Sequence, residues 1–209
     1  MMRSLRWALI LATGLLAGCL NGKTDKTVTE SESAKPGTQS EMSGPGAETA
    51  EAENTLLLDL KSGQVVIRLR PDLAPEHVKR IKKLTREGFY NGHKFHRVIP
   101  GFMAQTGDPT GTGAGGSDYH DLKAEFTNKA KFERGTLGMA RSSHPDSANS
   151  QFFICFKASP WLNRKYTIVG QVVKGMEFVD KIKKGDPESG EVPGKPDIIV
   201  KMQMAADAK

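Results

Sequence analysis

The stretch FHRVIPGFMAQTGDPTGTGAGG (residues 95–116) sets two chemistries side by side. Its second half places Gly111, Gly113 and Gly116 in the G-x-G-x-x-G spacing of a dinucleotide-binding loop. Its first half gathers Arg97, Phe102, Met103 and Gln105, a cation and an amide among large apolar side chains. A dinucleotide loop needs a strand before it, a helix opening within it and an acidic residue about 20 positions further on. Here "GDPT" comes first, Asp108-Pro109 is turn chemistry, and "SDYHDLKAEF" afterwards starts no apolar helical period. The glycine run therefore reads as a loop that takes unusual backbone angles or lets another chain segment approach closely. The candidate site is the first half.

Alternate residues of a strand share a face, so Met103 and Gln105 point the same way, and "QFFICF" offers Phe153 by the same rule. Apolar walls beside a guanidinium and an amide suit a ligand that is apolar and carries a carbonyl. The same residues also fit a plainer arrangement, with Phe102, Met103 and Phe153 in the core and Arg97 in a surface ion pair.

Outward from this stretch the chain is a series of short apolar runs. "TLLLDL" and "QVVIRLR", separated by "KSG", read as a hairpin. "KFHRVI", "FMAQ", "TLGMA", "QFFICF", "YTIVGQVV" and "DIIVKMQM" follow, divided by Gly, Pro and Asn. Residues 74–88 predict a helix: Pro75 suits its first turn, Val78, Ile81, Leu84 and Thr85 recur at helical spacing, and Gly88 ends it. "MEFVDKIKK" predicts a second, short helix with Phe178, Val179 and Ile182 on one side. Eight short strands over about 150 residues predict a mainly β fold, a closed barrel or sandwich, with two helices free to cover open ends.

The preceding segments have a different texture. "MMRSLR" is a positive start, "WALILATGLLA" is apolar but short of the ~20 residues of a membrane span, and "LAGC" ends at Cys19. This predicts an export signal over residues 1–19. The small-small-Cys ending resembles a bacterial lipobox, which implies lipidation of Cys19 and a membrane anchor. Residues 20–54 contain three Lys, seven acidic residues, no aromatic residue and almost no large aliphatic. They predict a disordered linker that lifts the following domain off a membrane surface.

The formal net charge is +6, and residues 55–209 hold 25 Lys or Arg against 17 Asp or Glu. No arginine run or basic stripe interleaved with aromatics accompanies that charge, so a nucleic-acid platform is not expected. With Cys19 lipidated, Cys155 is the remaining thiol, so an intramolecular disulfide is excluded. Its apolar run predicts an inert buried thiol. His93 and His96 face opposite ways in a strand, too weak a pattern for a metal site.

Taken together, "FHRVIPGFMAQTGD", "GTGAGGS", "GMARS" with "SANSQFFI", and "WLNRKYTIVGQVVKGMEFVDKI" resemble the cyclophilin-type peptidyl-prolyl isomerases, in order, from about Thr55 to Met204. The resemblance implies an eight-stranded closed antiparallel β-barrel capped by two helices, an isomerase domain over residues 55–204, and a short tail over 205–209. It implies a groove outside the barrel that needs no metal or cofactor, and proline-containing segments of folding proteins as partners. Position by position, it implies that Arg97 is the catalytic arginine and that Gln105 holds the substrate backbone. Phe102, Met103, Phe153 and Leu162 would form the proline pocket, and Ala140 and Arg141 the strand edge along which a peptide lies. Gly113 and Ala114 would flank the pocket for the residue before proline, and Trp161 would be the indole at the groove rim. Arg141 and Tyr166 stand where Asn and His are common in eukaryotic members, so weak cyclosporin binding is expected. The full expectation is a monomeric, lipid-anchored folding helper at a bacterial cell envelope. A peptide-binding scaffold on the same fold is its alternative.

Overall fold

The computed structural model describes residues 45–208. The expected signal segment, its Cys19 and the linker as far as residue 44 lie outside the described residues. Within the stretch expected to be linker, residues 45–53 instead form a helix, α1 (Pro45–Glu53). Its run of Ala and Glu has high helix propensity, which offsets the lack of an apolar face. Ion pairs tie this helix down: Glu51 to Arg68, and Glu53 to Arg86 at 2.9 Å. Arg86 also pairs with Asp207 of the chain's final turn at 2.9 Å.

All eight predicted strands form: β1 (Thr55–Leu60), β2 (Gly63–Leu69), β3 (Arg97–Ile99), β4 (Met103–Thr106), β5 (Thr136–Met139), β6 (Phe152–Cys155), β7 (Ile168–Lys174) and β8 (Lys201–Met204). They build one curled sheet in the order β3-β4-β6-β5-β7-β2-β1-β8, every ladder antiparallel. The ladder pairing that the sequence predicts to close into a barrel runs from β3 to β8. Between those two edges lies one isolated bridge, Lys94 to Ile198.

β6 alternates its side chains between two faces that are both covered, so it is buried along its whole length, as β5 is. In β6, Phe152 and Ile154 enter the main core with Leu56, Ile67, Val98, Leu137 and Val169. Phe153 and Cys155 join a second cluster with Leu73, Met103, Phe132, Leu162 and Ile168. Each large side chain so buried contributes about 1.5–3 kcal/mol. The second cluster is the floor on which the site is built.

Helix α2 (Pro75–Arg86) buries Val78, Ile81, Leu84 and Thr85, as its spacing predicts, and also His77 and Arg80, which the spacing did not select. Ala74 has no side chain with which to cap the helix start. The carboxylate of Glu125, from a distant loop, does so instead, accepting the backbone N–H groups of Glu76 at 3.2 Å and His77 at 3.0 Å. At the other end Gly88, at φ +70°, sends its N–H to the Thr85 carbonyl. The second predicted helix is shorter than its pattern: α3 is Met176–Val179. Beyond it Lys184 folds back, its ammonium donating to the carbonyls of Asp180 at 2.6 Å and Ile182 at 2.7 Å, and the helical ladder stops.

Candidate active site

Arg97 opens β3 and faces Gln105 of β4 across an antiparallel pair. Its Nη1 donates to Oε1 of Gln105 at 3.3 Å, and its Nε donates to the Ser189 carbonyl at 3.0 Å. Gln105 passes the order on: its Nε2 donates to Oε1 of Gln151 at 2.8 Å. Gln151 in turn donates through Nε2 to the carbonyls of Gly113 at 2.9 Å and Gly115 at 2.8 Å. A chain of side-chain amides thus links the guanidinium to the glycine-rich loop.

That loop is shaped from inside by Asp108, which is 1% exposed. Its carboxylate accepts the backbone N–H groups of Thr110 at 2.7 Å, Thr112 at 3.0 Å and Gly113 at 2.6 Å, and the Thr110 hydroxyl at 2.8 Å. Burial works to raise the Asp108 pKa. The hydrogen bonds from the Thr110 hydroxyl and from the backbone of Thr110, Gly115 and Gly113 outweigh it and hold the carboxyl well below the usual carboxylate range. Gly111 and Gly113 take φ of +67° and +88°, the left-handed region open to glycine. The glycine spacing that mimicked a nucleotide loop serves this turn around an internal carboxylate.

The apolar side is equally ordered. Phe153 stacks on Phe132 with centroids 5.8 Å apart and meets Tyr166 edge to face at 5.8 Å. Phe102 lies against Trp161 at 5.6 Å, and Trp161, on the 3₁₀ turn Pro160–Leu162, is 52% exposed. Met103, Phe153 and Leu162 are buried. The Arg141 guanidinium sits over the Tyr166 ring at 4.5 Å, and its N–H groups donate to the carbonyls of Lys165, Ser142 and Ser143.

These groups line one cavity of about 930 Å³. Arg97, Gln105, Phe102, Met103, Gly113, Ala140, Arg141, Phe153, Trp161, Leu162 and Tyr166 all border it. Ala114 does not; it borders an adjoining cavity of about 410 Å³ that shares Gln105, Gly113, Ala140 and Arg141 with the first. His96, Ser189 and Glu191 also line the main cavity, and the sequence reading did not select them. Burial holds the His96 pKa below its usual value, with Asp108 nearby pulling it up by less. Gln151 and Asp108 were missed as well. The "SQFFI" run signalled only a buried strand, and "GDP" signalled only a turn. Cys155 is fully buried within the pocket-floor cluster, and burial pushes its thiol up to about 12, so it is no nucleophile at neutral pH.

The arrangement offers a fixed cation at the mouth of an apolar pocket, with amide groups beside it and no activated nucleophile. It can grip an apolar ring and bind the polar atoms of an adjacent amide.

Comparisons with known proteins agree with this geometry. The family described as "Cyclophilin type peptidyl-prolyl cis-trans isomerase/CLD" matches residues 55–204. A protein of Brucella suis named "Probable peptidyl-prolyl cis-trans isomerase" is 58% identical over 175 residues, covering 78% of this chain and 88% of its own. A peptidyl-prolyl cis-trans isomerase of Arabidopsis thaliana is 39% identical over 153 residues, covering 72% of this chain and 24% of its own. The crystal structure of a Cryptosporidium parvum cyclophilin-type isomerase, solved in the presence of the dipeptide Ala-Pro, superposes with a TM-score of 0.66 at 30% identity. That match covers 72% of this chain and 98% of that one. A cyclophilin from Hirschia baltica superposes with a TM-score of 0.66 at 26% identity, covering 80% and 83% of the two chains. With its fold, its cavity and a family match over the whole sheet, the chain belongs to the cyclophilin-type peptidyl-prolyl cis-trans isomerases.

Proposed function

We propose that the cavity around Arg97 holds the X–Pro bond of a polypeptide segment and that Arg97 stabilises the twisted amide. Rotation about that bond meets a barrier of ~18–20 kcal/mol, because resonance gives the C–N bond partial double-bond character. No covalent bond breaks, so neither a nucleophile nor a redox centre is required. Catalysis consists in binding the twisted amide more tightly than either planar form. In the twisted state the nitrogen lone pair is localised, and a guanidinium N–H can donate to it. The walls formed by Phe102, Met103, Phe153 and Leu162 take the proline ring, Gln105 holds the backbone, and Ala140 and Arg141 offer a strand edge. The apolar floor lowers the local dielectric and strengthens the cation's effect.

The observation that carries this reading is the double tether on Arg97, from Gln105 on one side and the Ser189 carbonyl on the other. It fixes the guanidinium at the cavity before any ligand arrives. The relative solved with Ala-Pro supports proline peptides as the ligand class. A proline-peptide isomerisation assay on the wild type and Arg97→Ala proteins tests it: the substitution should remove most of the rate.

Three finer readings belong with this one. The sheet closes into a barrel, a reading supported by backbone hydrogen bonds from Gly92 to Ile199, Ile199 to His93 and Phe95 to Asp197. Hydrogen exchange at those amides should be as slow as in the β1–β2 ladder; fast exchange would mean an open sheet. The protein is exported and lipid-anchored through Cys19, a reading supported by "LAGC" after a positive, apolar start. Cys19→Ser should move it out of the membrane fraction, and an unchanged distribution would remove the anchor. It works as a monomer, which a single sedimenting species with the mass of one processed chain would support.

A further inference from the structure

We propose that residues 185–191 form a strap that sets the position of the Arg97 guanidinium, and that Asp186 is the positioning residue that keeps the strap in shape. The proposal rests on Arg97 being the catalytic donor.

β3 is an edge strand, and its outer edge is covered by this segment. Val98 donates its N–H to the Gly190 carbonyl at 2.7 Å, and its own carbonyl accepts the Gly185 N–H at 2.8 Å. The backbone of Glu191 forms an isolated antiparallel β-bridge with that of Arg97 itself. The strap therefore holds the backbone on which Arg97 stands, and through the Ser189 carbonyl it also holds Nε of the side chain. Gln105 holds Nη1 from the opposite strand. With those two contacts made, the other guanidinium N–H groups are left for a ligand.

Close approach makes the contact possible. Gly190 lies on the aliphatic stem of Arg97 at φ +80°. A Cβ there would sit 2.8 Å from Cγ of Arg97 and 2.7 Å from Cγ1 of Ile99. Gly185 is equally confined, because a Cβ on it would run into the carbonyl oxygens of Gly190 and Glu191.

Asp186 organises the strap from outside the cavity. A single oxygen, Oδ1, accepts the Glu188 N–H at 3.0 Å, the Ser189 N–H at 2.8 Å and the Ser189 hydroxyl at 3.0 Å. The Asp186 backbone closes the same turn, its N–H donating to the Glu191 carbonyl at 2.9 Å and its carbonyl accepting the Gly190 N–H at 2.8 Å. The Gly190 N–H bond to the Asp186 carbonyl orients the peptide plane that presents the Ser189 carbonyl to Arg97, and the Oδ1 bonds fix Ser189 from its other side, through its N–H and hydroxyl. Because a single oxygen accepts all three of the side-chain bonds, the side chain must supply an acceptor at Oδ1 and not a negative charge.

The test compares peptide isomerisation by wild type, Asp186→Leu, Asp186→Asn, Arg97→Ala and the Arg97→Ala/Asp186→Leu double variant, with peptide Kd measured by calorimetry. Misplacing a catalytic group by a fraction of an ångström lowers rate more than binding. Asp186→Leu should therefore lower kcat about tenfold with KM and Kd little changed. Asp186→Asn, which keeps the acceptor oxygen, should stay near wild type. In the Arg97→Ala background Asp186→Leu should cost nothing further, since a residue acting through another is not additive with it. Wild-type kcat in Asp186→Leu alongside an inactive Arg97→Ala would overturn the strap and leave the catalytic reading standing. The same tenfold loss in the Arg97→Ala background, or a loss in Asp186→Asn equal to that in Asp186→Leu, would also overturn it. A fully active Arg97→Ala protein would instead remove the reading on which the strap depends.

Discussion

Arg97 and Gln105 stand opposite each other across the β3–β4 pair, and the guanidinium of the first donates to the amide oxygen of the second at 3.3 Å. Because the amide nitrogen of Gln105 then donates to Gln151, which donates to the carbonyls of Gly113 and Gly115, two side-chain amides in series join the cation to the glycine-rich loop. The guanidinium and the loop beside it form one hydrogen-bonded unit.

Replacing Gln105 by Leu keeps its bulk and removes both contacts. Each lost bond is worth about 1 kcal/mol, and misorientation of Arg97 adds to that. The isomerisation kcat/KM should fall about tenfold to a hundredfold while the protein stays folded by circular dichroism. A rate within twofold of wild type, about 0.4 kcal/mol, would mean that the amide chain does not order the site.

Gly138 of β5 sits under the pocket floor. A Cβ there would lie 2.6 Å from both the Phe132 and Phe153 rings. Gly138→Ala should push Phe153 into the space read as the proline pocket. Overpacking of this kind costs about 1–3 kcal/mol. Urea unfolding should show that loss, and KM for a proline peptide should rise. Destabilisation with an unchanged KM would place Phe153 outside the ligand's reach.

The apolar alternation of the strands was enough to read all eight, because each buries one face or both. Pocket residues such as Phe102, Met103 and Phe153 were legible because their types are conspicuous beside Arg97. Asp108, Gln151 and the 185–191 strap were not. Their roles depend on which backbone groups the fold brings to them, and "GDP" or "SGE" carries no period that reveals a distant partner. α1 was missed because low hydrophobicity argued for a linker, whereas its Ala and Glu residues and its ion pairs to Arg68 and Arg86 favour a helix. The resemblance implied only that Arg141 lies at the strand edge; which groups hold it there was not legible, and its N–H groups donate to three carbonyls while its guanidinium sits over Tyr166.

His77 gives the protein an acid-sensitive hinge in its stability. Burial lowers its pKa, with the Glu125 carboxylate opposing by less and the Arg80 charge acting in the same direction as burial. A depressed folded-state pKa means that the unfolded chain binds the proton more readily. The contribution is therefore fully present above the unfolded value of about 6.5 and is lost as pH falls through it towards the folded value. His93 and His96 are shifted in the same direction by burial. The urea midpoint should drop between about pH 7.5 and pH 5, and His77→Gln should make the drop smaller without abolishing it. An equal drop in both proteins would show that His77 does not carry the effect.

The same groove should bind cyclosporin weakly. Trp161 is exposed at its rim, but Arg141 stacked on Tyr166 occupies the adjoining wall. Bringing a ligand against that pair costs desolvation. We expect Arg141→Asn to inhibit at lower drug concentration than wild type. Identical inhibition curves would show that the Arg141–Tyr166 stack does not govern drug affinity.

On the proposed mechanism a single fixed guanidinium drives the rotation. That mechanism is tested most directly by the kcat/KM of Arg97→Ala on a proline peptide, measured beside its peptide affinity and its unfolding midpoint. Removing one such preorganised donor should lower the rate about 10²–10³-fold, with the midpoint near that of wild type and peptide binding largely kept. An Arg97→Ala protein that retains half the wild-type rate would contradict the account.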